Sequence, residues 1–442
     1  MRKWLLAVAL AFALAACTTP GKAPTKTDLS APVSTDISEL PDTTLKVWTS
    51  EGRNRLVLLR KLATEFEAAH PNVKVKWTIR DFGAYPAQIK LALSSSDGPD
   101  VAIGNLGWSL DGPLIKAGLF RPLDDYAKAY GWDKRYPDVG LRQLKFSHDG
   151  KVYGEGSIWG TPYAADVIGW FYNADMLKAL GKEVPKTLAE LEDVLAASKA
   201  AGQQPIILGN KDAWPAWHLL YNLVDQYATK KEITDIVYGG ADANYANKGM
   251  VAALDKMLEW KKAGYVSADV NAVAQADASA AFLKGKALFF PAGSWEAASM
   301  PENYGFFLTP PLEAGTPPRA TGSFGYAFHV AANSKHVAAG AAFLDWMSNE
   351  AAAKKFFAAG DIAPMTVPDA KIKVGKVFAD IFDSWTEVLN SDGLLPYLEF
   401  ATPRASEVQY PQLQEVLAGK TSPEAALKAM EADRSKFVAE NK

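Results

Sequence analysis

The alternation of strand and helix patterns over residues 45–104 constrains the fold of this chain more than any other feature. Each strand segment alternates apolar and polar residues or forms a short apolar run, and each helical segment repeats its apolar residues at helical spacing. This order indicates a mainly parallel sheet with helices packed on it. The predicted elements are strand Leu45–Thr49, helix Leu59–Ala69, strand Val73–Ile79, helix Tyr85–Ser94 and strand Pro99–Gly104.

The loops that follow these three strands are the first candidates for a binding site. In open α/β sheets, ligands bind at the carboxyl ends of the strands. The loops concerned are residues 50–54, 81–84 and 105–111. We therefore expect side chains of these loops to face a ligand.

The remainder of the chain repeats this α/β style with new elements. The apolar or alternating segments 167–172, 205–208, 287–290 and 322–331 read as strands. The last stretch, 372–438, reads as mostly helical without further strands. A folded part of this length suggests two domains.

The composition argues against several classes of function. The formal charge of −3 becomes −5 once the positive charges of Arg2 and Lys3 are removed, and neither value suggests nucleic-acid binding. No segment after the N-terminal one is long and apolar enough for a membrane span.

Motifs of the common enzyme classes are also missing. No two of the five histidines have the close helical spacing of a metal pair, and Gly-x-Ser-x-Gly does not occur. Gly154–Gly160 is similar to a dinucleotide loop but has one residue too many between its last glycines. We predict no catalytic residues, metal or cofactor, although two suitably spaced carboxylates of a carbohydrate-active enzyme stay possible.

The N-terminus is typical of an exported lipoprotein. Arg2 and Lys3 precede the apolar segment 4–16, and Leu14–Cys17 is similar to a bacterial lipobox whose cysteine is the only one in the chain. We predict a signal peptide over 1–16, lipid attachment at Cys17 and a flexible tether over 17–43. The alternative is an ordinary secretory signal with an incidental cysteine.

Several stretches together resemble the extracellular solute-binding proteins of ABC importers, specifically the carbohydrate-binding group that includes the maltose-binding proteins. Each stretch is short and degenerate, but they stand in the family's order behind a lipobox. They are LRKLATEFEAAHP (59–71), GPDVAIG (98–104), AGLFRPL (117–123), WGTPYAADVIGWFYN (159–173), AFLKGKALFFPAGSW (281–295) and FLDWMSNEA (343–351).

The resemblance implies an α/β fold of two lobes joined by hinge segments, each lobe a mainly parallel sheet flanked by helices. Lobe 1 is expected to comprise residues 44–159 and 327–365, and lobe 2 residues 160–326 and 366–442. The crossovers fall near 160–166 and 322–326. Gly322 and Gly325 suit a segment whose dihedral angles change on closure.

The resemblance also implies a function. We expect a monomeric receptor, exported and held on the outer face of the cell membrane, that binds a mono- or oligosaccharide between its lobes. Its partners would be that carbohydrate and the permease subunits of an importer driven by a cytoplasmic ATPase. A binding protein for a polyamine or peptide, and a surface adhesin with the same lobes, remain alternatives.

Aromatic candidates for the site follow from the chemistry of a sugar, whose apolar faces stack on flat rings. Trp295 is the first candidate, since the resemblance implies a stacking aromatic at this Gly-x-Trp position. Each candidate tryptophan could instead be a core residue, and Trp217 is expected to face its own helix. The stacking candidates are Trp108, Trp214 and Trp295, and Phe324 and Tyr326 in the second crossover are expected to close the site.

Polar candidates are carboxylates placed after strands or at the expected crossovers, where each can accept two hydroxyl hydrogen bonds. The alternative for each is a helix cap or a solvated surface position. Arg53 is an unusual neighbour for a neutral sugar and could pair with Glu51 or contact an acidic ligand group. The acidic candidates are Glu51, Asp81, Asp166, Asp212 and Asp361.

Overall fold

A computed structural model describes residues 33–365 and 375–441. The predicted signal peptide, Cys17 and the first part of the predicted tether lie outside the described residues. The strands are β1 Thr43–Thr49, β2 Val73–Ile79, β3 Val101–Ile103, β4 Lys145–Phe146, β5 Ser157–Ile158, β6 Thr161–Pro162, β7 Asp166–Asn173, β8 Gln204–Ile206, β9 Ala287–Gly293, β10 Tyr304–Phe307, β11 Ala320–Ser323, β12 Ala327–Val330 and β13 Leu394–Leu395.

The α-helices alternate with these strands and cover the sheets. They are α1 Arg53–Ala69, α2 Tyr85–Leu93, α3 Asp111–Lys116, α4 Asp124–Tyr130, α5 Trp132–Arg135, α6 Asp138–Gln143, α7 Ala174–Ala179, α8 Leu188–Ala200, α9 Ala216–Tyr227, α10 Lys230–Tyr238, α11 Lys248–Lys262, α12 Gln275–Leu283, α13 Val337–Ser348, α14 Glu350–Ala358, α15 Lys376–Asn390, α16 Tyr410–Leu417 and α17 Pro423–Asn441. Among the described residues, no helix is both long and apolar enough to cross a membrane.

Two sheets define the two lobes. The first has the order β2-β1-β3-β12-β6, and the second has the order β13-β11-β7-β9-β8 with β10 also paired to β7. Helix α1 packs on the first sheet because Leu59, Leu62 and Phe66 recur on one face and are fully buried. The ring of Phe66 meets that of Phe343 from α13 edge to face at 5.5 Å.

The two-lobe α/β architecture confirms the predicted fold class, but both sheets are mixed rather than mainly parallel. In the first sheet β1 runs parallel to β2 and β3, whereas β12 is antiparallel to β3 and β6. In the second, β7 is antiparallel to β9, β10 and β11. The antiparallel pairs arise because strands β6, β7, β11 and β12 bring the chain back and forth between the sheets instead of following a βαβ crossover.

Two boundaries differ from the sequence-based expectation. Packed chain begins inside the predicted tether, because Ile37 is buried and the Asn72 side chain donates to the carbonyls of Ile37 and Leu40 at 2.8 and 2.9 Å. The stretch expected to lack strands contains β13, which pairs in parallel with β11.

The predicted strand 322–331 is two strands in different sheets. Strand β11 belongs to the second sheet and β12 to the first, and residues 324–326 connect them. Gly325 lies in this connection with a φ of +59°, and a Cβ there would lie 2.4 Å from the Ala164 carbonyl. Glycine is required at this crossover for both reasons.

Candidate ligand-binding cavity

A cavity of about 350 Å³ lies between the two lobes. The carboxyl ends of parallel strands supply its first wall: Glu51 and Asn54 follow β1, Phe82 follows β2 and Asn105 follows β3. The second wall comes from α9, α12, the turn after β9 and the segment 397–410. The three post-strand loops therefore reach the cavity, as the α/β pattern predicts.

Four charged side chains form one buried group where the first wall meets the start of β7, and we call this group the acidic cluster. They are Glu51, Arg55, Asp166 and Asp361. The Arg55 guanidinium donates to both carboxylate oxygens of Asp361 at 2.6 and 2.7 Å and to Asp166 at 2.6 Å. Glu51 lies 3.7 Å from it and accepts a hydrogen bond from the Tyr163 hydroxyl. The Arg55 side chain is 11% exposed, so these contacts are made largely out of water.

Arg55 occupies an unfavourable place for its own helix. It lies in the first turn of α1, where the helix dipole disfavours a cation, and that turn has no acidic residue and no side-chain cap. The carboxylates around Arg55 offset this cost. A local rule broken in this way is typical of a functional position.

Burial also perturbs the carboxylates of the acidic cluster. It raises the pKa of Glu51 and of Asp166, while Arg55 opposes both shifts. Asp361 adds a repulsive charge to each. The cluster thus holds three carboxyl groups around one guanidinium in a poorly solvated place.

Aromatic side chains form the second wall. The Trp295 ring meets the imidazole of His218 at 5.4 Å, and the Trp214 ring meets the same imidazole at 5.2 Å. Both indoles are only partly buried and line the cavity. Their faces suit the apolar face of a sugar ring.

Five buried side chains of the second wall carry polar atoms without a hydrogen-bond partner among the described residues. We call them the polar floor, and each is at least nine-tenths buried. They are Trp217 (Nε1), His218 (Nδ1), Tyr221 (OH), Gln275 (Oε1 and Nε2) and Tyr397 (OH). Buried polar groups are normally paired, so this set is arranged for hydrogen bonds to something inside the cavity.

The polar floor is uncharged. Burial lowers the pKa of His218 to about 3, so its imidazole is neutral at physiological pH. Trp217 can only donate, whereas the Gln275 amide can donate and accept side by side. This combination fits vicinal hydroxyl groups, which also donate and accept.

Six of the ten predicted ligand-contacting residues line the cavity. The structure brings together Glu51, Asp166, Trp214, Trp295, Tyr326 and Asp361. Tyr326 lies at the crossover with its ring 6.1 Å from that of Phe82. Whether these six bind a ligand is a prediction.

The other four predicted residues do not line the cavity. Trp108 is buried between the rings of Phe146 and Phe437 at 5.2 and 4.8 Å, and Phe324 packs on Trp385 at 5.5 Å. These two rings point from their loops into the core, where they bury more apolar area.

The two predicted acids that do not line the cavity are exposed, and each accepts a hydrogen bond from a backbone amide instead. Asp81 accepts from the Gly83 amide at 3.0 Å, and Asp212 accepts from the Gln275 amide at 2.8 Å. Both acids therefore take the alternative expected from the sequence, a solvated surface position or a helix cap.

Sequence reasoning missed the lining residues that lie on helices. Trp217, expected to face its helix, lines the cavity together with His218 and Tyr221 from the same helix, α9. Arg55 was also missed, although its position four residues after Glu51 favours a pair. No group of three potential ligands for a metal ion occurs in the described part of the chain.

The two mixed-sheet lobes and the lined cavity between them define a two-lobe binding protein. The chain belongs to the family of bacterial extracellular solute-binding proteins, whose model matches residues 54–354. This membership agrees with the resemblance seen in the sequence.

Curated relatives and solved structures agree with this family. The chain is 26% identical to the multiple sugar-binding protein of Streptococcus mutans serotype c over 337 residues, which are 68% of this chain and 70% of that one. It is 26% identical to the maltooligosaccharide ABC transporter solute-binding lipoprotein of Streptococcus pneumoniae strain R6, over 72% of this chain and 70% of the relative. A solved chitin oligosaccharide binding protein shares the fold with a TM-score of 0.78 and 20% identity, covering 90% of this chain and 99% of that one.

Proposed function

We propose that this protein is the sugar-binding receptor of an ABC importer and binds a mono- or oligosaccharide between its lobes. The observation that carries the proposal is the cavity wall in which Trp214 and Trp295 lie beside the polar floor, whose polar atoms have no partner in the part of the chain that the structure describes. The aromatic faces match the apolar C–H faces of a sugar, and the neighbouring hydrogen-bond donors and acceptors match its hydroxyl groups. The names of the curated relatives, which are sugar-binding proteins, support the same ligand class.

Binding favours a closed arrangement of the lobes. A sugar in the cavity touches the acidic cluster and the polar floor together only when the lobes are closed, so its binding free energy shifts the population to that state. No bond is made or broken in this function. The carboxylates serve as hydrogen-bond acceptors for hydroxyl groups.

The proposal extends to location and partners. Lipid attachment at Cys17 would hold the exported, monomeric receptor at the outer face of the membrane. The closed form would then present both lobes to the permease subunits of the importer. The membership of the family supports export, and the lipobox-like sequence supports the anchor.

Thermal melting of the purified full chain tests the ligand class. The panel contains monosaccharides, oligosaccharides of increasing length, polyamines and short peptides. A ligand at about 100 times its dissociation constant stabilises the folded state by about 2.7 kcal/mol, which gives a clear rise in Tm. We expect a rise with one sugar series; rises with polyamines or peptides alone would contradict the proposal.

A further inference from the structure

We propose that the sugar bound by this receptor carries a protonated amine, held by the acidic cluster, while its uncharged ring lies on the polar floor. This inference rests on the proposed function and names the class of sugar. It comes from the three carboxyl groups gathered around one guanidinium at one end of the cavity. The carboxylates of Glu296 and Glu399 also line the cavity, and they accept hydrogen bonds from the hydroxyls of Ser279 and Tyr410 at 3.2 and 2.6 Å.

Among the side chains that the structure describes, the charges of the acidic cluster do not balance. Three carboxyl groups surround one guanidinium, and all four side chains are between 8% and 13% exposed. No lysine is among the described residues that line the cavity, and His218 is neutral. A cationic group of the ligand would offset the excess negative charge, which water solvates poorly at this buried place.

The existing cation is already engaged. Arg55 directs its Nε and Nη2 hydrogens at Asp361 and Asp166, and Nη2 lies 3.5 Å from the Ala165 carbonyl. It is therefore poorly placed to receive an acidic sugar, and a uronic acid would bring a fourth carboxylate to the same place. The cluster thus favours an amine and opposes an acid.

Aromatic and hydroxyl groups next to the cluster fit the same ligand. Burial raises the pKa of Tyr326, and the negative charges of Glu51 and Asp166 raise it further. Its ring lines the cavity and can face a cation. Tyr397 is 7% exposed, and its hydroxyl has no hydrogen-bond partner among the described residues. Burial raises the pKa of Tyr397, and the charge of Asp166 raises it further.

The other end of the cavity distinguishes an amino sugar from a simple polyamine. Trp217, Tyr221 and Gln275 offer uncharged donors and acceptors without partners among the described residues. An aliphatic diamine would leave these groups unsatisfied, and a buried polar group without a partner is costly. A sugar ring satisfies them and also stacks on Trp295.

Titration calorimetry of the purified full chain with matched sugar pairs tests the inference. The two members of a pair differ only by an ammonium group in place of the C2 hydroxyl of each ring. The pairs are glucosamine and glucose, galactosamine and galactose, and the β-1,4-linked glucosamine dimer and cellobiose. Spermidine is the control for charge without a ring. We expect the amino member of at least one pair to bind at least tenfold more tightly than its hydroxyl counterpart.

Each outcome decides a different claim. Sugar binding with a ratio below ten in every pair overturns the amine and leaves the sugar-binding function intact. If none of the six sugars binds, with or without binding of spermidine, this inference is overturned. The wider melting panel of sugars, polyamines and peptides then decides the proposed function separately.

A substitution locates the amine within the cavity. Glu51→Gln removes one negative charge but leaves both hydrogen-bonded carboxylate partners of Arg55, and we expect the amine-to-hydroxyl ratio to fall at least threefold. Glu313→Gln, at an exposed position outside the cavity, should keep the wild-type ratio. An unchanged ratio in Glu51→Gln, in a variant with wild-type unliganded Tm, would overturn the assignment to the cluster. If that variant does not fold, the ratios of the wild-type chain decide.

Discussion

Trp295 owes its position to the glycine two residues before it. A Cβ at Gly293 would lie 2.1 Å from the Trp295 ring, so the indole folds over this bare backbone and faces the cavity. The ring is held further by His218 at 5.4 Å. A stacking platform at this place therefore depends on the Gly-x-Trp spacing as well as on the tryptophan.

The first prediction concerns this ring. Trp295→Ala should lose most of the affinity for the sugar identified by thermal melting, because the stacking face is removed. The unliganded Tm should stay within a few degrees, since the ring is only partly buried. Calorimetry and melting measure the two effects, and unchanged affinity would reject the platform.

Trp108→Ala is the matched control for that variant. Trp108 is 5% exposed and packs on Phe146 and Phe437 away from the cavity. Its loss should destabilise the fold by about 3–5 kcal/mol. A lower unliganded Tm should therefore mark the control, in contrast to Trp295→Ala.

The limits of sequence reasoning at this scale have a physical cause. The order of strands and loops shows which residues stand near the cavity, so Glu51 and Trp295 could be found. It does not show which way a loop aromatic turns, and Trp108 and Phe324 turn into the core. Arg55 was missed because a helical cation beside an acid is usually a surface pair.

At the scale of elements, helix α9 connects the cavity with the second sheet. Its first turns carry Trp217, His218 and Tyr221 to the polar floor. Near its other end, Asp225 accepts from the amide and hydroxyl of Thr321 at 2.6 and 2.7 Å, which fixes α9 to β11. The position of the polar floor therefore depends on this buried carboxyl group.

The second prediction is a pH dependence of stability. Burial raises the pKa of Asp225 from 3.8 to about 7. Between these values the folded chain holds a proton that the unfolded chain releases, so the free energy of unfolding falls as pH rises. The contribution of Asp225, at most about 4 kcal/mol, is complete below pH 4 and lost as pH rises through 7.

Asp225→Asn should remove this part of the pH dependence, because an amide keeps the contacts to Thr321 and does not ionise. Urea unfolding at pH 4.5 and pH 7.5 measures the difference between the two conditions. Asp255→Asn, at an exposed position on α11, should retain the wild-type difference. Equal pH dependence in Asp225→Asn and wild type would show that Asp225 is ionised throughout.

Element types were predictable from the sequence, but some pairings were not. The periodicity of residues 45–104 indicated the parallel strands β1, β2 and β3, whose sequence is local and regular. The single strand expected over 322–331 failed because alternation does not reveal that Gly325 takes a positive φ and sends the chain to another sheet. The same crossovers produce the antiparallel pairs that make both sheets mixed.

At the scale of the whole molecule, the acidic cluster joins the lobes. Arg55 belongs to α1 on the first sheet, and Asp166 opens β7 in the second. The pair is therefore made across the crossover and contributes to the balance between open and closed arrangements. Such a contact biases closure before any ligand is present.

The third prediction concerns that balance. Arg55→Gln leaves three carboxyl groups together without a cation, and their repulsion should destabilise the closed arrangement. Spin labels on the two lobes measure the distance between them. The label sites are Val57→Cys on α1 and Leu312→Cys in the loop after β10, both exposed, in a chain that also carries Cys17→Ser. We expect a longer mean distance between the labels. We also expect the apparent Kd to rise at least tenfold, because a smaller fraction of the molecules is in the closed arrangement that binds the ligand.

The control is Arg60→Gln, at an exposed position on the same helix, which should retain the wild-type distances and affinity. If Arg55→Gln keeps the wild-type distance distribution, the ion pair does not bias closure, and the lobes are held by their packing alone.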